Sequence, residues 1–233
     1  MNEKKVAILQ SNYIPWKGYF DIINSVDEFI IYDDAQFTRR DWRNRNLIKS
    51  RQGLIWLTIP VETKGKQLQK INETKIANSY WAKKHWNAIK LNYSKAAYFK
   101  SFSSIFEDAY LNTEFKFLSD VNYHFIQIIN KCLEIKTKIS NTNQFKIEGN
   151  KTEKLLAICK QANATEYLSG PAAKNYLETD LFEQENIKVS WIDYSGYPEY
   201  TQLHPPFYHE VSILDLIFNE GVNTFRYMKS FSK

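Results

Sequence analysis

The sequence predicts an α/β fold: a mostly parallel sheet with flanking helices and an α-helical middle region. Three observations carry this. Short apolar runs of strand character alternate with helical periodicity at both ends of the chain. The first strand, helix and strand fit within about 30 residues, the size of a βαβ unit. Between the ends, helical periodicity dominates from about 77 to 135. The 233 residues are read as a single α/β domain over 1–233, long enough for a sizeable core.

The apolar run at 6–10 is a buried strand, broken by Ser11-Asn-Tyr-Ile-Pro15. Residues 16–25 read as a helix with Tyr19, Phe20, Ile22 and Ile23 as its apolar positions. The run at 28–32 is a second buried strand ending in Asp33-Asp34, and 54–61 is a further one. Pro60 in that third run marks an edge or a strand end. The helix at 77–92 places Trp81, His85, Ala88 and Asn92 on one face. Helices at 102–111 and 117–133 follow, the latter striped by Phe117, Val121, His124, Phe125, Ile128 and Cys132. A short strand is expected at 137–141, and a helix at 152–161 after the Gly149-Asn150 break. A strand at 166–169 meets Gly170-Pro171, which opens a helix with proline in its first turn. The chain closes with a strand at 188–193, a loop at 195–198 and a helix at 212–219 stopped by Gly221.

Composition narrows the class. Hydrophobic residues make up 43% and charged residues 24%, as in folded soluble domains. The N-terminus lacks the apolar stretch of a signal peptide, and no apolar run approaches the ~18 residues of a membrane span. A cytoplasmic protein is expected, with Cys132 and Cys159 as reduced core residues. His204 and His209 are separated by Pro205-Pro206, which argues against a metal pair, so no metal ligand is named. Neither GxGxxG nor GxxxxGK[ST] occurs, which removes the commonest phosphate fingerprints.

Five of the six arginines are Arg39, Arg40, Arg43, Arg45 and Arg51. With Lys49 against Asp41, that window carries a net +5, equal to the charge of the whole protein. Arginine is the planar fork that grips carboxylate or phosphate with two parallel bonds, whereas lysine is a hydrated point charge. A lysine-rich chain that gathers its arginines in one stretch points to an anion site there; a solvated basic loop is the alternative.

In open parallel sheets, ligands bind beyond the carboxyl ends of the strands. Three segments fall there. Gln10 to Gly18, including Tyr13, offers polar side chains and the free N–H groups of a helix start, or is an ordinary turn. Asp33 and Asp34, with Gln36 following, could orient an arginine, accept a proton or bind Mg²⁺, or form salt bridges with Arg39, Arg40, Arg43 or Arg45. Ser169 and Gly170 could present a hydroxyl and amides to a ligand, or cap a helix. His85, beside Trp81 and Trp86, could shuttle a proton or be a satisfied buried side chain.

At these residues the chain resembles the WbqC-like family of bacterial polysaccharide-locus proteins. The matching stretches are Gln10…Tyr13-Ile-Pro-Trp-Lys-Gly18-Tyr-Phe, Asp33-Asp34-Ala-Gln36-Phe, Trp42-Arg43-Asn44-Arg45-Asn-Leu-Ile-Lys, Trp56-Leu-Thr-Ile-Pro-Val, Tyr167-Leu-Ser169-Gly170…Tyr176-Leu and Ser212-Ile-Leu-Asp-Leu-Ile-Phe-Asn-Glu-Gly. The family's opening Gln-Pro pair is Gln10-Ser11 here. The resemblance implies a setting among O-antigen and related surface glycans, and an enzyme that acylates, with glycine as a candidate acyl group, the amine of a nucleotide-linked amino sugar. Substrate contacts would come from Gln10, Tyr13, Gly18, Gln36, Arg39, Arg40, Trp42, Arg43, Asn44, Arg45, Ser169 and Gly170, and catalysis from Asp33, Asp34 and His85. The strand–turn–helix start is similar to the nucleotidylyltransferase superfamily, though its HxGH signature is absent. The cofactor stays open, with ATP and Mg²⁺ as candidates. A nucleic-acid-binding module, with Phe37 and Trp42 stacking bases, and a non-catalytic partner of a glycan assembly complex are the alternatives.

Overall fold

The computed structural model describes residues 3–231; Met1 and Asn2, the first residues of the N-terminus considered above, lie outside them, as do Ser232 and Lys233. In chain order the elements are β1 (Lys5–Leu9), α1 (Lys17–Asn24), β2 (Glu28–Ile31), β3 (Arg45–Ser50), β4 (Gly53–Thr58), α2 (Tyr80–Tyr93), α3 (Phe99–Leu111), α4 (Leu118–Cys132), β5 (Lys138–Asn141), α5 (Lys151–Gln161), β6 (Glu166–Ser169), α6 (Thr179–Gln184), β7 (Lys188–Trp191) and α7 (Ile213–Glu220).

Five strands form one parallel sheet in the order β5-β2-β1-β6-β7. The expected β1-α1-β2 unit is present, and the strand order reverses direction between β1 and β6. That reversal is the switch point of a doubly wound sheet, where two crossovers leave the sheet in opposite directions and open a crevice. Alternate strand residues feed two cores, as the pleat requires. Ala7, Phe29 and Ile31 join α1, α2, α3, α4 and α7 on one face. Val6, Ile8 and Ile30 pack with Leu155, Ile158 and Cys159 of α5 and Phe182 of α6 on the other. Cys132 and Cys159 are both free thiols. No helix among the described residues is long and apolar enough to cross a membrane.

The structure corrects four element readings. The arginine stretch is not all loop: Arg45–Ser50 is β3, paired antiparallel with β4 in a hairpin outside the main sheet. Its sequence hid it, because it lacks an apolar alternation and its polar Asn46, Lys49 and Ser50 are buried along with Ile48. The buried side of α4 is Leu118, Val121, Asn122, Phe125, Ile126 and Ile129, turned from the predicted stripe because a polar residue, Asn122, faces the interior. On α2 the buried residues include Trp86, Ile89 and Tyr93 in place of Ala88 and Asn92. Gly170-Pro171 opens a 3₁₀ helix, Pro171–Asn175, with Gly170 and not Ser169 at its N-cap position.

Candidate functional site

The loop after β1 is held from every side. Asp33 is buried at the end of β2 and accepts two bonds from Ser11, from its N–H at 2.8 Å and its hydroxyl at 2.7 Å. Asn122 donates to the Ser11 hydroxyl and to the Arg43 carbonyl, both at 2.9 Å. Arg43 Nη1 donates to the carbonyls of Gln10 and Ser11 and to Asn12 Oδ1. Asn46 Nδ2 donates to the carbonyls of Tyr13 (3.1 Å) and Ile14 (2.9 Å). These bonds fix Ile14 at φ 38°, a left-handed conformation that a β-branched residue adopts only when its surroundings impose it.

This loop forms one lip of a cleft of about 670 Å³ at the β1/β6 switch point. Gln10 and Asn12 enter from β1, Asp34 and Gln36 from β2, Ser169 and Gly170 from β6. A Cβ added at Gly170 would meet open space, so backbone is accessible there. Lys151 and Lys154, one helical turn apart in α5, face the cleft with Arg43. Neither lysine forms an ion pair with a described residue; Lys151 lies 5.8 Å from the Tyr176 ring. Arg43 Nη2 has no acceptor among the described residues. Burial lowers the Arg43 pKa, but a guanidinium stays charged through any physiological pH. The cleft therefore presents three cations against Asp34, whose carboxylate is already engaged. Burial works to raise the Asp34 pKa, and bonds from Thr142 (2.6 Å) and Lys70 (3.1 Å) outweigh it and hold it below the ordinary value.

Of the residues singled out in the sequence, Gln10, Asp34, Gln36, Arg43, Ser169 and Gly170 meet in this cleft. The others do not. Tyr13 is fully buried, its hydroxyl bonded to His85 Nδ1 (2.9 Å) and the Tyr110 hydroxyl (2.7 Å). His85 is 3% exposed, and its Nε2 lies 3.2 Å from the Thr58 carbonyl. Burial pulls its pKa down to about 4, so the ring is neutral, accepts at Nδ1 and donates at Nε2: a core hydrogen-bond link without access to ligand. Asp33 is likewise enclosed, and burial raises its pKa despite the Ser11 bonds and the nearby Arg43. Arg39 and Arg40 are exposed, Arg39 donating to the Thr63 carbonyl at 3.2 Å. Arg45 stacks on Trp56 at 4.0 Å from its ring centre. Asn44 is buried and donates to the Ile59 carbonyl. Gly18 is packed under Trp16, whose ring a Cβ would strike at 2.3 Å. Trp42 faces a neighbouring cavity that shares Asn12 with the cleft. The arginine cluster is thus not one clamp: its fork into the cleft is Arg43 alone.

Sequence reasoning passed over Lys151, Lys154 and Asn122. Two lysines three apart at a helix start are unremarkable in a lysine-rich chain, except that cations oppose the helix dipole there. Asn122 showed only as a polar residue beside an apolar stripe. A family model described as the WbqC-like protein family matches residues 10–227. The chain is 50% identical over 226 residues, 97% of this chain and 98% of the relative, to uncharacterized protein Rv1507c of Mycobacterium tuberculosis. No solved structure matches at a significant level.

Proposed function

From the premise that the chain belongs to the WbqC-like protein family, we propose an enzyme of surface-polysaccharide biosynthesis that acylates the amine of a nucleotide-linked amino sugar, with glycine as the first acyl group to test. The observation that carries this reading is the convergence of Arg43, Lys151 and Lys154 on one cleft at the switch point of a doubly wound sheet. Three cations suit a diphosphate, the two lysines without a carboxylate partner among the described residues and Arg43 with only Asp41 at 3.7 Å beyond the cleft lining, and the crevice is where such sheets bind nucleotides. The setting among glycan genes is what the family resemblance implies, and it makes a sugar nucleotide the fitting diphosphate.

In this reading Arg43 and the two lysines hold the diphosphate, and Gly170 lets it approach the backbone. Asp34, ionised, orients the ligand and is too weak a base to take a proton at neutral pH. Asp33 and His85 are positioning residues: Asp33 fixes Ser11 and the loop, and His85 acts through Tyr13. Transfer joins the sugar nitrogen to the acyl carbon, breaks the bond from that carbon to its carrier, and releases a proton from nitrogen. Purified protein incubated with a UDP-linked amino sugar, glycine and ATP should yield a product heavier by one glycyl group, with AMP or ADP released. If a panel of amino-sugar nucleotides and acyl donors gives no mass gain while UDP still binds, the site binds nucleotide without acylating.

The nucleic-acid reading keeps one supporting observation, the exposed Trp42 and Trp56 with Arg45 against Trp56. Tight, steeply salt-dependent binding to generic single strands would favour it.

A further inference from the structure

A second cavity, of about 730 Å³, opens on the other side of the β1 loop and shares Asn12 with the cationic cleft. Its walls are aromatic: Trp16, Trp42, Tyr194 and Tyr197. Trp16 meets Tyr194 at 5.1 Å and 60°, and Tyr197 at 5.6 Å and 63°. Rings set edge to face make a corner. A puckered ring with C–H groups on several faces can lay them against the aromatic walls of such a corner.

The polar groups at this cavity are of both kinds: the indoles of Trp16 and Trp42 and the hydroxyls of Tyr194 and Tyr197 can donate, and the Glu210 carboxylate accepts. Glu210 accepts no hydrogen bond from any described residue, and His209 Nδ1 is buried without a partner. Asn12 contributes an amide. The nearby ammonium of Lys17 is buried and donates to the Pro198 carbonyl at 3.1 Å. An aromatic-walled cavity whose polar groups include both donors and acceptors calls for a compact ligand that carries both, as a ring bearing hydroxyls and an amine does. Few polar groups in an apolar-walled pocket of this size are what small-ligand sites present.

We infer that this cavity binds the pyranose of an amino sugar, its C–H faces on Trp16 and Trp42 and its hydroxyl and ammonium donors toward His209 and Glu210. The inference deepens the proposed function and rests on its premise of an amino-sugar substrate, but it stands on a different cavity. The shared Asn12 puts sugar and diphosphate on opposite sides of one loop residue, so a single sugar nucleotide would span both.

Ligand-observed NMR titrations of the intact protein test it, with free glucosamine, UDP and adenosine as separate probes. Glucosamine should bind, and its affinity should fall at least about tenfold in Trp42→Ala and in Glu210→Gln. It should be unchanged in a Lys151→Glu, Lys154→Glu double variant, whereas UDP should show the reverse pattern. Both cavity positions are partly or fully exposed, so folded variants are expected, and their circular dichroism should match the parent. Absence of glucosamine binding, indifference to both cavity variants, or competitive displacement of glucosamine by adenosine would overturn the inference. UDP binding without glucosamine binding overturns the cavity and leaves the cleft reading. Glucosamine binding that responds to Trp42→Ala without UDP binding supports the cavity and ends the diphosphate reading.

Discussion

Ile14 sits in the left-handed region inside a loop that supplies a lip to both cavities. Strain of this kind costs on the order of 1–3 kcal/mol and persists where neighbours over-determine it. Here the neighbours are Asn46, Arg43, Asp33 and Asn122, and behind them the His85–Tyr13–Tyr110 chain of imidazole and hydroxyls. His85 gives this arrangement a pH signature. Its pKa is about 4 folded and roughly 6.5 unfolded. The unfolded chain therefore binds the extra proton first as the pH drops. The contribution is whole above the unfolded value, declines as pH falls from about 6.5 to about 4, and is level below. Its size is up to about 3 kcal/mol. Asp33 and Asp215, both raised by burial, titrate in the opposite sense, so the comparison should be with His85→Gln, whose amide can still accept from Tyr13 and donate to Thr58. Denaturant unfolding at pH 4 and pH 6.5 should show a larger loss for the parent than for the variant. Equal losses would mean that this imidazole titrates as it does in the unfolded chain.

Helix α5 shows what an element contributes beyond its packing. Asn150 and Glu153 form a reciprocal capping box, with bonds of 3.0 and 2.7 Å, so its start is well satisfied. Lys151 and Lys154 nevertheless stand in and next to the first turn, where a cation is disfavoured by about 0.3–1 kcal/mol. On the proposed reading, a bound anion offsets the charge placed against the dipole. Replacing both with glutamate should leave the melting temperature level or slightly raised and should abolish UDP binding in a calorimetric titration. UDP affinity within a factor of about two of the parent would remove these lysines from the site. The β3–β4 hairpin is the counterexample for sequence reading. Arg45 and Lys49 looked like part of an anion clamp, yet β3 turns Lys49 inward and lays Arg45 on Trp56.

At the scale of the molecule, the five-stranded sheet separates two cores that share β1 and β2. Neither core can form without those strands, because alternate residues of the same strand serve both. One cooperative unit over the whole chain is the expectation that follows. Far-UV circular dichroism and tryptophan fluorescence should report coincident thermal transitions, five of the six tryptophans lying outside the α5–β6–α6 side. Two separated transitions would divide the chain into two units.

The sequence by itself determined the alternation of strands and helices, the parallel βαβ start and the family. Each is written in local periodicity or in contiguous residues, such as the apolar runs around Val6 and Phe29. It also named Gln10, Asp34 and Ser169, which the fold brings to one cleft with Arg43, because strand ends in such sheets point to a common edge. What only the tertiary structure decided was which neighbours of those residues join them. Strand order put β6 beside β1 and so brought Lys151 and Lys154 opposite Arg43, a meeting across more than a hundred residues that no spacing encodes. Burial then sorted look-alike groups: Asp34 opens on the cleft, Asp33 is enclosed with Ser11, and His85 is a neutral link in the core. Charge and residue type are properties of sequence; access to solvent and ligand is a property of packing.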